Sequence, residues 1–206
     1  MSQLVTKKRK DKEELEMLFY NQWLMLKKRG CPKQILEFFN NQKNEVVSVA
    51  SRISFTKGNL PILLVLPRTS LTIHTQMTMV RNGKIKGYTM IDPVGVFEMI
   101  KTPSRPYYLF DVENGRETLG QSPEKAEKII KKQRRLCSTE VEIINLALQT
   151  NVLKRHYLDA TGCRYIDESK VPYLGMIKDK PILHWYRLKN GHPFWGSPSC
   201  GKRLAL

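Results

Sequence analysis

Tyr107-Tyr108-Leu109-Phe110-Asp111-Val112, closed by Asn114-Gly115 and followed by Ser122-Pro123-Glu124-Lys125-Ala126, is the stretch that sets the fold class. An apolar, aromatic run bounded by turn signals predicts a strand. Ser122 ahead of Pro123 predicts a helix start, because the serine hydroxyl caps a free N–H and proline has none to satisfy. Ala126, Ile129 and Ile130 give that helix one apolar edge. Thr139-Glu140-Val141-Glu142 matches a capping box, with Val141, Ile144 and Leu148 behind it, so a second helix follows in tandem.

Toward the N-terminus, Ile62 to Leu66 reads as a buried strand between Pro61 and Pro67. Leu71, Ile73, Thr75, Met77 and Met79 alternate as a half-buried strand does, and Asn82-Gly83 turns the chain into a hairpin with Ile85 to Ile91. Asp92-Pro93 predicts a short helix running through Ile100. Further upstream, Asp11 caps a helix in which Leu15, Leu18, Phe19, Trp23 and Leu26 recur at helical spacing until Gly30. Ile35, Leu36, Phe38 and Phe39 predict a second, short helix that ends in the polar run Asn40 to Asn44. Toward the C-terminus, Val171 to Ile177 and Ile182 to Leu188 form a hairpin around Lys178-Asp179-Lys180-Pro181, and Asn190-Gly191 turns the chain toward Phe194-Trp195-Gly196. The expected fold is α+β: N-terminal helices plus a mainly antiparallel sheet with an inserted tandem helix pair. Residues 1–10 are expected to be a disordered basic tail, 11–45 an N-terminal helical layer, and 60–206 an α+β domain.

The 206 residues are 41% hydrophobic, enough for one core without metals or cross-links. Cys31, Cys137, Cys163 and Cys200 lie far apart and form no Cys-x-x-Cys pair, and no apolar leader segment precedes them, so a cytoplasmic protein with reduced thiols is expected. The apolar run Leu60 to Leu66 is interrupted by Pro61 and far shorter than the ~20 residues of a membrane-spanning helix. No cofactor and no metal are expected. Charge is the outlying quantity: 35 Lys plus Arg against 19 Asp plus Glu leave +16, which favours polyanionic partners.

From about residue 60 to 203, the chain resembles a bacterial domain-of-unknown-function family common in actinobacteria. The resemblance is carried by Tyr107-Tyr108-Leu109-Phe110-Asp111-Val112-Glu113-Asn114-Gly115, Ser122-Pro123-Glu124-Lys125-Ala126, Thr139-Glu140-Val141-Glu142, Gly162-Cys163-Arg164 and Gly196-Ser197-Pro198-Ser199-Cys200. That family has no assigned activity, so the resemblance supports the domain boundary and leaves the function open.

Three functional readings come from the residues. In the helix after Pro123, Lys125, Lys128, Lys132 and Arg135 share one face, with Lys131 and Arg134 close by. Such a stripe suits the phosphates of nucleic acid or another polyanion. The alternative is a metal-dependent, nuclease-like hydrolase. There Asp111 (or Asp159), Glu113 and Glu168 would supply carboxylates, and Lys170 in Glu168-Ser169-Lys170 would stabilise developing charge. The third is a protein-interaction module whose N-terminal helices, with Trp23 and Phe38, cover a partner. Tyr165, Tyr173, His184, Trp185, Tyr186, Arg187, His192, Phe194 and Trp195 interleave rings with cations. Such rings, if exposed on a basic sheet, stack unpaired bases, but aromatics at strand spacing are more often core, and core is the expectation. A nucleophile and base from Cys163 or Cys200 with His184 or His192 would need an activating environment.

Overall fold

The computed structural model describes residues 7–206. Residues 1–6 of the expected basic tail lie outside the described residues, and Lys7–Lys8 pair antiparallel with Phe55–Thr56. Helix α1 spans Lys12–Lys28, α2 Lys33–Ser51, α3 Ile73–Met79, α4 Pro123–Lys132 and α5 Glu140–Gln149. A three-stranded antiparallel sheet runs in the order Lys202–Leu204, Tyr107–Val112, Leu60–Val65. A five-stranded sheet runs Trp195–Gly196, Tyr157–Asp159, Lys170–Ile177, Lys180–Arg187, Tyr88–Thr89. Its inner pairs are antiparallel and its two edge pairs parallel. The fold is α+β, as its sequence predicts.

Local codes place the helices. Asp11 accepts from the Glu14 N–H at 2.7 Å and Ser122 from the Lys125 N–H, while the Glu142 carboxylate reaches back to accept from the Thr139 N–H at 2.9 Å. Helix α5 sits at the centre, with every residue from Glu140 to Leu148 buried. It is tied to the Leu60–Val65 strand and the residue after it through Gln149 to the Leu64 carbonyl and Asn145 to Leu66. Helix α1 docks on the same strand: Gln22, buried, donates to the Ile62 carbonyl and accepts from the Leu64 N–H. The Trp23 indole donates to the Leu36 carbonyl, and both Trp23 and Phe38 pack against the chain's own core.

Three local expectations are corrected. Residues 73–79 form helix α3: Ile73, Gln76, Met77 and Val80 are buried at helical spacing, and Met79 is buried beside them. Gln76 is buried with its amide on the Leu66 and Leu71 carbonyls and on Asn145, a need that periodicity does not reveal. Helix α2 continues through Asn40 to Asn44 to Ser51, because Val46, Val47 and Ala50 extend its buried face. After Asp92, a single 3-10 turn, Pro93–Gly95, leads into the short strand Val96–Glu98, not a helix reaching Ile100.

Candidate polyanion-binding face

Helix α4 buries Pro123, Ala126 and Ile130 and leaves its other side to solvent. Lys125, Lys128, Lys131 and Lys132 are exposed there, the Lys128 and Lys131 side chains at 73% and 67%. Two acids temper the charge: Glu124 lies 3.6 Å from Lys128, and Glu127 lies 2.5 Å from Lys131. The other Glu127 oxygen takes the buried Arg164 at 2.7 Å. Burial acts to raise the Glu127 pKa, but hydrogen bonds from Lys131 and Arg164 outweigh it and hold the carboxyl below its usual range. Among the described residues, Lys125, Lys132 and Arg134 have no ion-pair partner.

The helix terminus separates the last two cations of the stripe. The Arg135 N–H bonds back to the Ile130 carbonyl and Arg134 adopts φ +58, a Schellman-type stop. The reversal leaves Arg134 exposed and sends Arg135 inward. Arg135 donates to the Asp111 carboxylate at 2.6 Å, to the Asp111 carbonyl, and to the Ser199 hydroxyl at 2.8 Å. Its side chain is only 12% exposed, so it is removed from the polyanion face.

Of the hydrolase candidates, Asp111, Glu113 and Lys170 have separate partners. Burial acts to raise the Asp111 pKa, but Arg135, the Thr56 N–H and Asn59 together hold it below the usual carboxylate range. Glu113, buried, accepts from the Gly115 and Glu117 N–H groups, and burial still pushes its pKa up. Glu168 is exposed at a 440 Å³ hollow that Arg187 and Lys189 also line. Lys170 pairs with Asp167 at 2.8 Å and lies over the Trp185 ring. Among the described residues, no three His, Cys, Asp or Glu side chains are grouped to hold a metal ion.

The four thiols are free and buried. Burial pushes Cys31 and Cys200 up to about 12, and Cys163 donates to the Glu140 carboxylate at 2.8 Å. No hydrogen bond joins a described thiol to a histidine. A separate 260 Å³ cavity, which the sequence does not signal, is lined by Arg68, Glu98, Thr102 and Tyr107. Arg68 pairs there with the buried Glu140, and burial raises the Glu98 pKa. Of the aromatics expected in the core, Tyr165 and Trp195 are buried and Trp185 packs against the core, while Tyr173, His184, Tyr186 and His192 are half-buried and Phe194 is exposed on the other face of the larger sheet. The signal for that face is register: Tyr173 faces His184 and Val171 faces Tyr186 across the hairpin, opposite the side of Leu174 and Leu183.

A family model described as a family of unknown function (DUF5701) matches residues 29–206. No curated protein and no solved structure matches the chain.

Proposed function

For a chain that belongs to the family of unknown function DUF5701, we propose that the function is binding of a polyanion, with nucleic acid the chief candidate, through the exposed face of helix α4. The carrying observation is that Lys125, Lys132 and Arg134 are exposed with no described ion-pair partner, beside Lys128 and Lys131. Cations held this way exchange counterions for phosphates, so binding is strong at low salt and falls steeply as salt rises. The net +16 of the chain adds a long-range attraction of the same sign. Four free, buried cysteines support a reducing compartment such as the cytoplasm.

The test is a salt titration of binding to mixed-sequence DNA and RNA. Each phosphate contact contributes about 0.9 to the log–log slope on duplex DNA. A chain carrying Lys125→Gln, Lys128→Gln, Lys132→Gln and Arg134→Gln should show a slope lower by about 2 to 4. An unchanged slope, or no binding by the native chain at low salt, ends the reading.

A further inference from the structure

We infer that the polyanion is single-stranded nucleic acid, its unpaired bases stacking on the aromatic face of the five-stranded sheet; this rests on helix α4 holding the phosphates. On the side of that sheet opposite Leu158, Leu174 and Leu183, Trp195 lies 4.1 Å from Tyr173, 4.4 Å from Tyr186, 5.0 Å from His192 and 6.0 Å from Tyr157. His184 stacks on Tyr173 at 14° between ring planes, and Phe194 lies beside His192 at 6.1 Å. Gly175 makes room for this packing, since a Cβ there would come within 2.7 Å of the Tyr157 ring.

Trp195 is the buried base of the cluster at 8% exposure. Tyr157, Tyr173, His184, Tyr186 and His192 are half-buried, and Phe194 is 65% exposed. A row of partly exposed rings is a stacking platform that accepts any base.

The N-terminal end of helix α4 adjoins the strands that carry the platform. The Gly120 N–H bonds to the Trp195 carbonyl at 3.0 Å, just before the Ser122 cap, and the Glu124 N–H bonds to the Leu188 carbonyl at 3.0 Å. The hollow lined by Glu168, Arg187, Leu188 and Lys189 lies at that junction, with Arg187 on the sheet face opposite Tyr186. A backbone that follows the helix cations toward Ser122 therefore arrives beside the strands that carry the rings. Duplex DNA presents the phosphates but keeps its bases paired, so the rings add nothing to its affinity.

The experiment compares, at one salt concentration, a labelled single strand of about twelve nucleotides, the same sequence as a duplex, and inorganic polyphosphate as competitor. Single strand is expected to bind at least about tenfold more tightly than duplex, with quenching of tryptophan emission. Phe194→Ala and Tyr186→Ala should each weaken single-strand binding about tenfold and leave duplex and polyphosphate binding unchanged, while Tyr186→Phe, which keeps the ring, restores it. Phe194 is exposed, so its variant tests the idea even if Tyr186→Ala unfolds. Equal or tighter duplex binding, or variants without effect on the single strand, overturns this inference and leaves the polyanion reading intact. Failure to bind any of the three at low salt removes that reading as well.

Discussion

Arg135 and Asp111 hold each other at 2.6 Å, side chains 12% and 10% exposed, so one cation of the basic stripe is committed to joining the end of helix α4 to the Tyr107–Val112 strand. Removing one partner strands the other charge in a desolvated place. Arg135→Gln is expected to cost about 3 kcal/mol in urea unfolding, and to leave the salt slope of polyanion binding unchanged. Lys132→Gln, on the exposed face, should do the reverse. Since Asp111 sits below its usual pKa in the folded chain, the pair contributes fully above the unfolded carboxyl's pKa of 3.8. That contribution is lost as the pH falls through the folded value. If Arg135→Gln weakens polyanion binding without lowering stability, the structural role assigned to this residue is wrong.

Asp159 gives a pH dependence of opposite sign. It is 1% exposed, neither carboxyl oxygen has a hydrogen-bond partner among the described residues, and burial raises its pKa from 3.8 to about 8. Below pH 3.8 the folded and unfolded chains are both protonated and the group has no effect on the balance. Between 3.8 and about 8 the unfolded chain releases a proton that the folded chain keeps, so stability falls as pH rises, by at most ~1.4 kcal/mol per unit. Above about 8 the loss levels off. Urea unfolding of the native chain and of Asp159→Asn from pH 5 to 9 should show this slope in the first and not in the second. Parallel curves would place an ionised, solvated carboxyl at this position.

Asp159, like Arg135, marks the limit of what the sequence reveals. Helix starts are legible because their codes are local: Asp11 and Glu14, Ser122 and Pro123, Thr139 and Glu142 lie within three residues of each other. The Lys170–Ile177 and Lys180–Arg187 hairpin is legible for the same reason, with Lys178 and Asp179 both at positive φ in its turn. Helix α3 is not legible, since Leu71, Ile73, Thr75, Met77 and Met79 satisfy a period of two while the buried Gln76 finds partners on distant elements. The stripe on α4 is legible as a spacing, but the loss of Arg135 from it depends on Asp111, which is 24 residues away and on another element. The aromatic platform needs the strand register before its rings can be assigned to an outer face.

Thiol chemistry should be silent in the native state. Burial lifts Cys31 and Cys200 to about 12 and raises Cys137, and it lifts Cys163 well above the ordinary thiol value, with the Glu140 carboxylate adding to it. The thiolate is the reacting form, so an aromatic disulfide reagent at pH 8 should modify the folded chain only as fast as it opens. In denaturant all four thiols should titrate at once. A single fast thiol in the folded chain would reveal an accessible, activated cysteine and revive a nucleophilic role for it.

The contact between Gly115 and Gly196 gives the sharpest stability prediction. A Cβ on Gly196 would sit 2.0 Å from the Gly115 carbonyl oxygen, and one on Gly115 would sit 2.9 Å from the Gly196 carbonyl carbon. Both obstacles are backbone, so no rotamer change relieves them, and Gly115 also adopts φ +100. The Gly196 strand is held on its other side by parallel pairing with Tyr157 and Leu158, and the Ser197 N–H bonds to Thr118 at 2.8 Å, so it has little freedom to retreat. Gly196→Ala should therefore cost more than ~3 kcal/mol, because a steric clash with fixed main chain belongs to the small class of severe single substitutions. Ser197→Ala, one residue on, removes a buried hydroxyl that has no hydrogen-bond partner among the described residues, and should change stability by less than ~1 kcal/mol. Thermal unfolding of the two variants separates these outcomes. A Gly196→Ala chain as stable as the native one would mean that the Gly115 turn and the Trp195–Gly196 strand do not touch, and that Trp195 and the aromatic face are not anchored where they are described.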